Sequence, residues 1–280
     1  MKNIYFALLM SLLAIGFYGC DNDDDSAETP VDQVTKAEVI SAYADLVYQS
    51  YVDAHSDAMD MKNAIDAFVA SPSAAGFTLA KNAWLTARET YGTTEAFRFA
   101  QGPIDVIGSE EGPEGLLNSW PLDEAYIDYV DQMPNAGIVN DASKTLDKAT
   151  LSGLNGEGGE ENVSIGYHAI EFLLWGQDLT APAMLMPGQR PYTDYLDQAS
   201  GGTAANHDRR GMYMKVCADL ILDHLQLLLD QWEPGGAYRT TFLALDENEA
   251  LSNMMTAIAT LSKSELAGER VLVAWDNRDQ

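Results

Sequence analysis

The chain has 280 residues, of which 46% are hydrophobic, and its formal net charge is −27 at pH 7. So acidic a chain excludes a nucleic-acid backbone as the main partner, because phosphate binding requires a basic surface. The length and the apolar content are sufficient for an ordinary hydrophobic core, in one large domain or two modest ones.

The N-terminus predicts an exported protein with a lipid anchor. Lys2 precedes an apolar run that ends at Tyr18, and Gly19-Cys20 follows, so residues 1–19 resemble a lipoprotein signal peptide. The run is about 15 residues long, shorter than the roughly 20 that a membrane-spanning helix needs. We therefore predict lipidation of Cys20 and a location in the cell envelope, on the periplasmic side or at the cell surface.

The lipidation of Cys20 bears on the other cysteine, and the residues that follow Cys20 bear on how the folded part is attached. Cys217 then has no disulfide partner within the chain, so the fold has no disulfide framework. Residues 20–34 are acidic and poor in apolar side chains, and such a segment cannot bury enough surface to order itself. We interpret it as a solvated tether between the lipid and the folded part.

The first half of the folded part predicts two long helices. Apolar residues at helical spacing, including Val39 and Leu46, continue from Lys36 to Ala70, and a second helix is expected over residues 78–100 with Thr78 as its N-cap. One face of the second helix carries an unusual series of aromatic and charged side chains, namely Trp84, Arg88, Tyr91, Glu95 and Arg98.

The most informative stretch is SIGYHAIEFLLWGQD, residues 164–178, which follows a glycine-rich loop. At about 100° per residue, its polar and indole side chains fall on one side of a helix, namely His168, Glu171, Trp175 and Asp178. The rest of the circumference is apolar, which is typical of a buried helix. A buried histidine and glutamate need a partner, and a metal ion is one candidate.

The remainder of the chain again predicts helices. A long connection over residues 179–208, with three prolines and three glycines, leads to a helix over residues 209–232. Further helices are expected over residues 247–262 and 266–275. Because no stretch shows sustained period-two alternation with hairpin signals, we predict an all-α helical bundle.

The motif Gly-x-His-x-x-Glu at residues 166–171, with its continuation FLLWGQD, resembles the imelysin family. The segments AWLTARETYGTTEAFRFAQGPID and NSWPLDEAYIDY share the resemblance, which extends from about residue 36 to Gln280. It implies two related four-helix-bundle-like lobes, residues 35–180 with the motif and residues 181–280, with the site near their meeting surface. Family members typically continue further, so we expect the second lobe to be incomplete.

The candidate metal ligands are His168, Glu171 and Glu95. Imidazole and carboxylate one helical turn apart suit iron, zinc or copper better than calcium. Four more residues are candidates for the binding cleft, where arginines could clamp a carboxylate or another anion and acids could turn inward: Arg88, Arg98, Asp105 and Asp178. A hydrogen-bonded His–Glu pair with a structural role is the alternative.

The imelysin resemblance implies an association with iron uptake, and also a possible metallopeptidase, as the family is classed. The stronger zinc signature His-Glu-x-x-His is missing, and so is a Gly-x-Ser-x-Gly elbow. We therefore favour a metal-binding lipoprotein of iron uptake, with iron-transport components as partners, over an enzyme. A small-ligand binding module without metal is a third possibility.

Overall fold

The computed structural model describes residues 34–276. The predicted signal peptide, the lipidation site Cys20 and all but the last residue of the predicted tether lie outside them. No helix within the described range is both long and apolar enough to cross a membrane. The architecture is all-α, as predicted, and the one sheet found within residues 34–276 consists of two short strands.

Two long helices form an N-terminal hairpin. Helix α1 is Lys36–Ala70, as predicted, and its buried side chains alternate at spacings of four and three. That period keeps one seam against the neighbouring helices over the whole length. The expected stripe was partly wrong, because Val39 and Leu46 are 38% and 57% exposed. The buried seam contains small residues such as Ala44 in place of Val39 and Leu46. Small side chains allow α1 to lie closer to its neighbours than larger ones would.

Helix α2 is Ala74–Thr93, and a 3-10 turn over Thr94–Phe97 follows it. The predicted start at Thr78 was wrong. Ser73 is the N-cap, since its Oγ accepts a hydrogen bond from the Gly76 amide at 3.1 Å. The Thr78 hydroxyl instead donates to the Ala74 carbonyl one turn back, at 3.0 Å.

Short elements fill the middle of the chain. The strands β1 (Val106–Ile107) and β2 (Glu110–Glu111) pair in an antiparallel hairpin. Three short helices follow, namely α3 (Glu114–Leu117), α4 (Glu124–Ile127) and α5 (Lys148–Leu154), with a 3-10 turn at Ile138–Asn140 before α5. The motif helix α6 is Tyr167–Trp175.

The C-terminal part contains the third long helix. After 3-10 turns at Pro182–Met184, Tyr192–Tyr195 and Gln198–Ser200 come α7 (His207–Trp232) and α8 (Ala237–Leu243). Helix α9 (Glu247–Thr260) continues through a π-helical stretch, Leu261–Leu272, into α10 (Val273–Asp276). The separate helix expected over residues 266–275 is therefore part of one continuous rod.

Helix α7 packs against both α1 and α6. The approach of α1 is close at Gly211, where an added Cβ would lie 2.8 Å from Val69 Cγ1. Residues 36–276 belong to one compact unit. Helices α1 and α7 lie on either side of the predicted boundary at residue 180 and share one hydrophobic core within the described residues. The division into two related lobes stays a prediction.

Candidate functional site

The motif helix α6 is bounded by two glycines that its geometry requires. Gly166 has φ +89°, and a Cβ there would lie 2.6 Å from the Leu117 carbonyl oxygen. Gly176 has φ +66° and follows the last helical residue, Trp175. Left-handed backbone and close approach both favour glycine, so the first glycine of the motif fixes where the helix begins.

The polar and indole side chains of α6 border one cavity. The buried side chains of α6 are apolar or aromatic, and they belong to the hydrophobic core. His168, Glu171 and Trp175 are only partly buried, and they line a cavity of about 440 Å³ together with Asp178. The structure thus gathers the four side chains that the helical spacing predicted on one side.

His168 and Glu171 form a hydrogen-bonded pair. The imidazole Nδ1 lies 2.8 Å from Glu171 Oε2, and the two side chains are 16% and 42% exposed. With an ionised Glu171, Nδ1 carries the hydrogen, which leaves the Nε2 lone pair for another partner. A carboxylate that orients a histidine in this way is the usual support of a metal-binding imidazole.

Three indole rings form much of the cavity wall. Trp120 is 71% exposed, and its ring centre lies 5.1 Å from that of His168. Trp84 and Trp175 contact each other edge to face at 5.2 Å. The Trp84 Nε1 donates to the Tyr167 carbonyl at 2.9 Å, so this ring is fixed against the first turn of α6. The wall therefore combines one indole ring held by a hydrogen bond, that of Trp84, with one that is largely exposed, that of Trp120.

Two further carboxyl groups border the cavity. Burial raises the pKa of Glu124, and the negative charges of Asp123 and Asp178 raise it further. The pKa of Asp178 is lowered by hydrogen bonds from the Thr180 hydroxyl and amide. The cavity lining thus contains three carboxyl groups, and burial is the main reason why the ionised form of Glu124 is disfavoured.

The third predicted ligand, Glu95, is not brought to this pair. It is buried in a separate cluster, where it accepts hydrogen bonds from Arg270, from Arg88 at 3.5 Å and from Asn118 at 3.5 Å. Within residues 34–276, no three histidine, cysteine, aspartate or glutamate side chains are grouped so that they could hold a metal ion. The predicted set of His168, Glu171 and Glu95 is therefore not assembled.

The two predicted clamp arginines are also engaged elsewhere. Arg88 pairs with Glu95 and Arg98 with Glu114, the latter at 3.1 Å. Neither arginine lines the cavity, and neither does Asp105. Burial raises the pKa of Asp105 to about 6, although a backbone hydrogen bond at Phe99 and the charge of Arg98 oppose the shift. The helix face that carries the arginines is thus a charged packing surface.

Sequence reasoning missed a fully buried ionic cluster next to α6, the Asp128 cluster, which consists of Asp128, Arg190, Asp194 and Arg210. Arg210 donates twice to Asp128, from Nε at 2.6 Å and from Nη2 at 3.0 Å, and Arg190 donates at 2.7 Å. Asp194 receives the Tyr129 hydroxyl at 2.5 Å. No spacing rule could have found the cluster, because its members are up to 82 residues apart.

The loop over residues 176–190 joins this cluster to the cavity. The Arg190 amide donates to the Trp175 carbonyl at 2.8 Å, and Pro187 and Gly188 line the cavity. A Cβ on Gly188 would lie 2.3 Å from the Gly176 carbonyl oxygen. The far end of the loop is therefore fixed to the last turn of α6, whereas its tip is open, with Leu185 92% exposed.

Comparison with known proteins gives consistent results. The family model described as imelysin matches residues 47–280. Iron-regulated protein A of Synechococcus elongatus is 24% identical over 282 residues, which cover 96% of this chain and 64% of the relative. A crystal structure from Parabacteroides distasonis, provisionally described as an iron-regulated protein A precursor, has a TM-score of 0.60 at 21% identity and shows the same fold. The structural match covers 87% of this chain and 63% of the Parabacteroides chain. This chain therefore spans less than two thirds of the length of both relatives.

Proposed function

This chain belongs to the imelysin family, and we propose that it is an iron-associated binding protein of the cell envelope whose cavity at His168 and Glu171 takes up a metal ion. The observation that carries the proposal is the hydrogen-bonded His168–Glu171 pair at the wall of a cavity of about 440 Å³. The two groups are of the kinds that transition metals prefer, and they face space rather than core.

The residues present fit a metal ion in one of two ways. Imidazole Nε2 could bind the ion while Glu171 holds Nδ1, or Glu171 could turn and bind the ion as well. The first arrangement needs no change in the hydrogen bond at 2.8 Å. In both, the half-exposed carboxylate of Glu171 supplies the negative charge that stabilises a bound cation.

Iron is supported by the names of the relatives rather than by the donor set. Both relatives are named for regulation by iron. Imidazole with carboxylate also suits zinc and copper. We therefore propose iron as the cargo and expect other transition ions to compete for the same site in solution.

Binding fits the site better than hydrolysis. A catalytic zinc site uses three protein ligands, an open position for water and a base. The part of the chain that the structure describes offers no such group of three. The metallopeptidase alternative would need a further ligand and a base at the cavity, whereas reversible uptake of an ion needs neither.

The proposed location follows from the N-terminal sequence. A lipid on Cys20 would attach the protein to a membrane of the cell envelope, and the acidic tether would hold the helical part away from the surface. In that position the protein could pass its cargo to iron-transport components. Mass spectrometry of the mature protein should find the lipid on Cys20, and a Cys20→Ala variant should be released into the soluble fraction.

The site itself is tested by metal titration of the purified helical part, which is the chain from Lys36 onward without the signal peptide and the tether. We expect uptake of about one ion per chain, and loss of that uptake in His168→Ala and Glu171→Ala. The matched control is His55→Ala, which removes a partly buried histidine from α1, away from the cavity. Equal uptake by all variants would contradict the proposal. Chelator-sensitive cleavage of casein that Glu171→Gln abolishes would instead support the peptidase.

A further inference from the structure

We infer that the cavity takes its metal ion together with an uncharged, flat aromatic chelator, which supplies donors that the protein does not. The inference rests on the proposed function, because it names the form in which the metal binds at the His168–Glu171 pair. Three independent features of the cavity support it: the number of protein donors, the volume and the chemistry of the wall.

The first feature is the number of donors. His168 and Glu171 offer two, and among the described residues no third histidine, cysteine, aspartate or glutamate joins them in a group that could hold an ion. Iron, zinc and copper take four to six ligands in proteins, of which about three or four are usually side chains. The remaining positions must therefore be filled by water or by a second ligand.

The second feature is the volume, which leaves room for a second ligand. One water molecule occupies about 30 Å³ in the liquid, so an ion with a few waters fills only a small part of the 440 Å³ available. Cavities of roughly 300–1,000 Å³ are those that hold small organic ligands. The cavity is thus large enough for a chelator of two or three aromatic rings.

The third feature is the wall beside the imidazole. The Trp120 ring centre is 5.1 Å from that of His168, yet 71% of Trp120 is exposed. Trp84 and Trp175, whose rings contact each other, form another part of the lining. A flat aromatic molecule would cover these rings by stacking, which favours such a ligand beyond the apolar area that it buries.

The charges of the wall select among chelators. Glu171 and Asp178 both line the cavity, so an anionic chelator would meet like charges. Lys81 lies over the Trp175 ring, 5.2 Å from its centre, and offsets only part of this charge. An uncharged chelator, whose metal complex remains a cation, is therefore the favoured class.

The test compares Zn²⁺ alone with the one-to-one complexes of Zn²⁺ and two tridentate chelators, uncharged terpyridine and dianionic dipicolinate. Calorimetric titration of the helical part should show the terpyridine complex binding roughly three- to ten-fold more tightly than Zn²⁺ alone. The dipicolinate complex should bind more weakly than the terpyridine complex. His168→Ala should lose the binding of Zn²⁺ and of both complexes.

Trp120→Ala separates stacking from coordination. Within this variant, the terpyridine complex should bind no more tightly than Zn²⁺ alone, so the three- to ten-fold ratio between the two affinities is lost. Trp275→Ala, which changes another exposed indole at 61% exposure, is the matched control and should keep the gain. If Zn²⁺ binds alone and terpyridine only strips it from the protein, the inference is overturned while the proposed function stands. If neither Zn²⁺ nor its complexes bind, both fail.

Discussion

Two regions next to α6 pair acidic with basic side chains, and they differ in how completely the pairs are satisfied. In the Asp128 cluster, Arg210 and Asp128 are 0% exposed, and both carboxylate oxygens of Asp128 receive charged donors. In the His168–Glu171 pair, one hydrogen bond is made, and both side chains remain partly exposed beside a cavity. A closed cluster stabilises a fold, whereas an open pair retains capacity for a ligand.

The largest expected effect is on the closed side of this comparison. Arg210→Met removes a buried partner of Asp128, and the uncompensated charge should lower the free energy of unfolding by about 3–5 kcal/mol. Urea unfolding followed by circular dichroism measures the loss. Lys148→Met is the control, because Lys148 and Asp223 are 46% and 54% exposed, and such pairs contribute less than about 1 kcal/mol. Equal losses in the two variants would contradict the comparison.

The next effect concerns the backbone that supports the open pair. Gly166→Ala should lower the free energy of unfolding by about 2–3 kcal/mol, because a side chain at φ +89° is strained and would approach the Leu117 carbonyl. The control is Gly153→Ala in α5, where an added Cβ meets nothing within 4 Å. That change should stabilise the protein by about 0.5–1 kcal/mol. Opposite signs in the two variants are the expected outcome.

Asp105 is intermediate, since it is half-buried but incompletely paired. Burial raises its pKa to about 6, so between about pH 4 and pH 6 the native state holds a proton that the unfolded state releases. Stability from this group is therefore present below about pH 4, is lost as the pH rises to about 6, and is constant above that. Asp105→Asn should remove the loss.

The measurement is thermal unfolding of Asp105→Asn and the parent at about pH 4 and about pH 7.5. We expect equal stability at the lower pH and a gain on the order of 1 kcal/mol for the variant at the higher pH, after allowance for solvent screening. A gain of the same size at both values would show that the effect is unrelated to ionisation.

The smallest effect on stability is expected at the open pair. Glu171→Gln replaces a carboxylate that is 42% exposed and bonded to one partner, so the free energy of unfolding should change by less than about 1 kcal/mol. Metal uptake by the same variant should fall. A loss of several kcal/mol would show that the pair is part of the packing, and the site would then lose its support.

Periodicity predicted the elements that depend on local sequence. Helix α1 spans Lys36–Ala70, the range over which its apolar spacing predicted a helix. The start of α2 was placed at Thr78, whereas Ser73 accepts the capping hydrogen bond from the Gly76 amide and begins the helix five residues earlier. The gathering of His168, Glu171 and Trp175 at one cavity also follows from helical spacing.

Contacts between distant segments could not be predicted in the same way. Glu95 shares a helix face with Arg88, which suggested a ligand, but Arg270, 175 residues further along the chain, occupies its second oxygen. Likewise the Asp128 cluster depends on how separate loops and α7 meet. Charge on a helix face indicates that a partner exists, whereas the partner's identity is decided by packing.

The loop over residues 176–190 offers a practical handle on the cavity. Its base is tied to the end of α6 by the Arg190 amide, while Leu185 at its tip is almost fully exposed. Cys217 is buried, so a thiol introduced by Leu185→Cys in the helical part could be coupled selectively to a fluorophore. Such a dye would lie a few residues from the part of the loop that lines the cavity. Its emission would then report in real time whether the cavity is occupied.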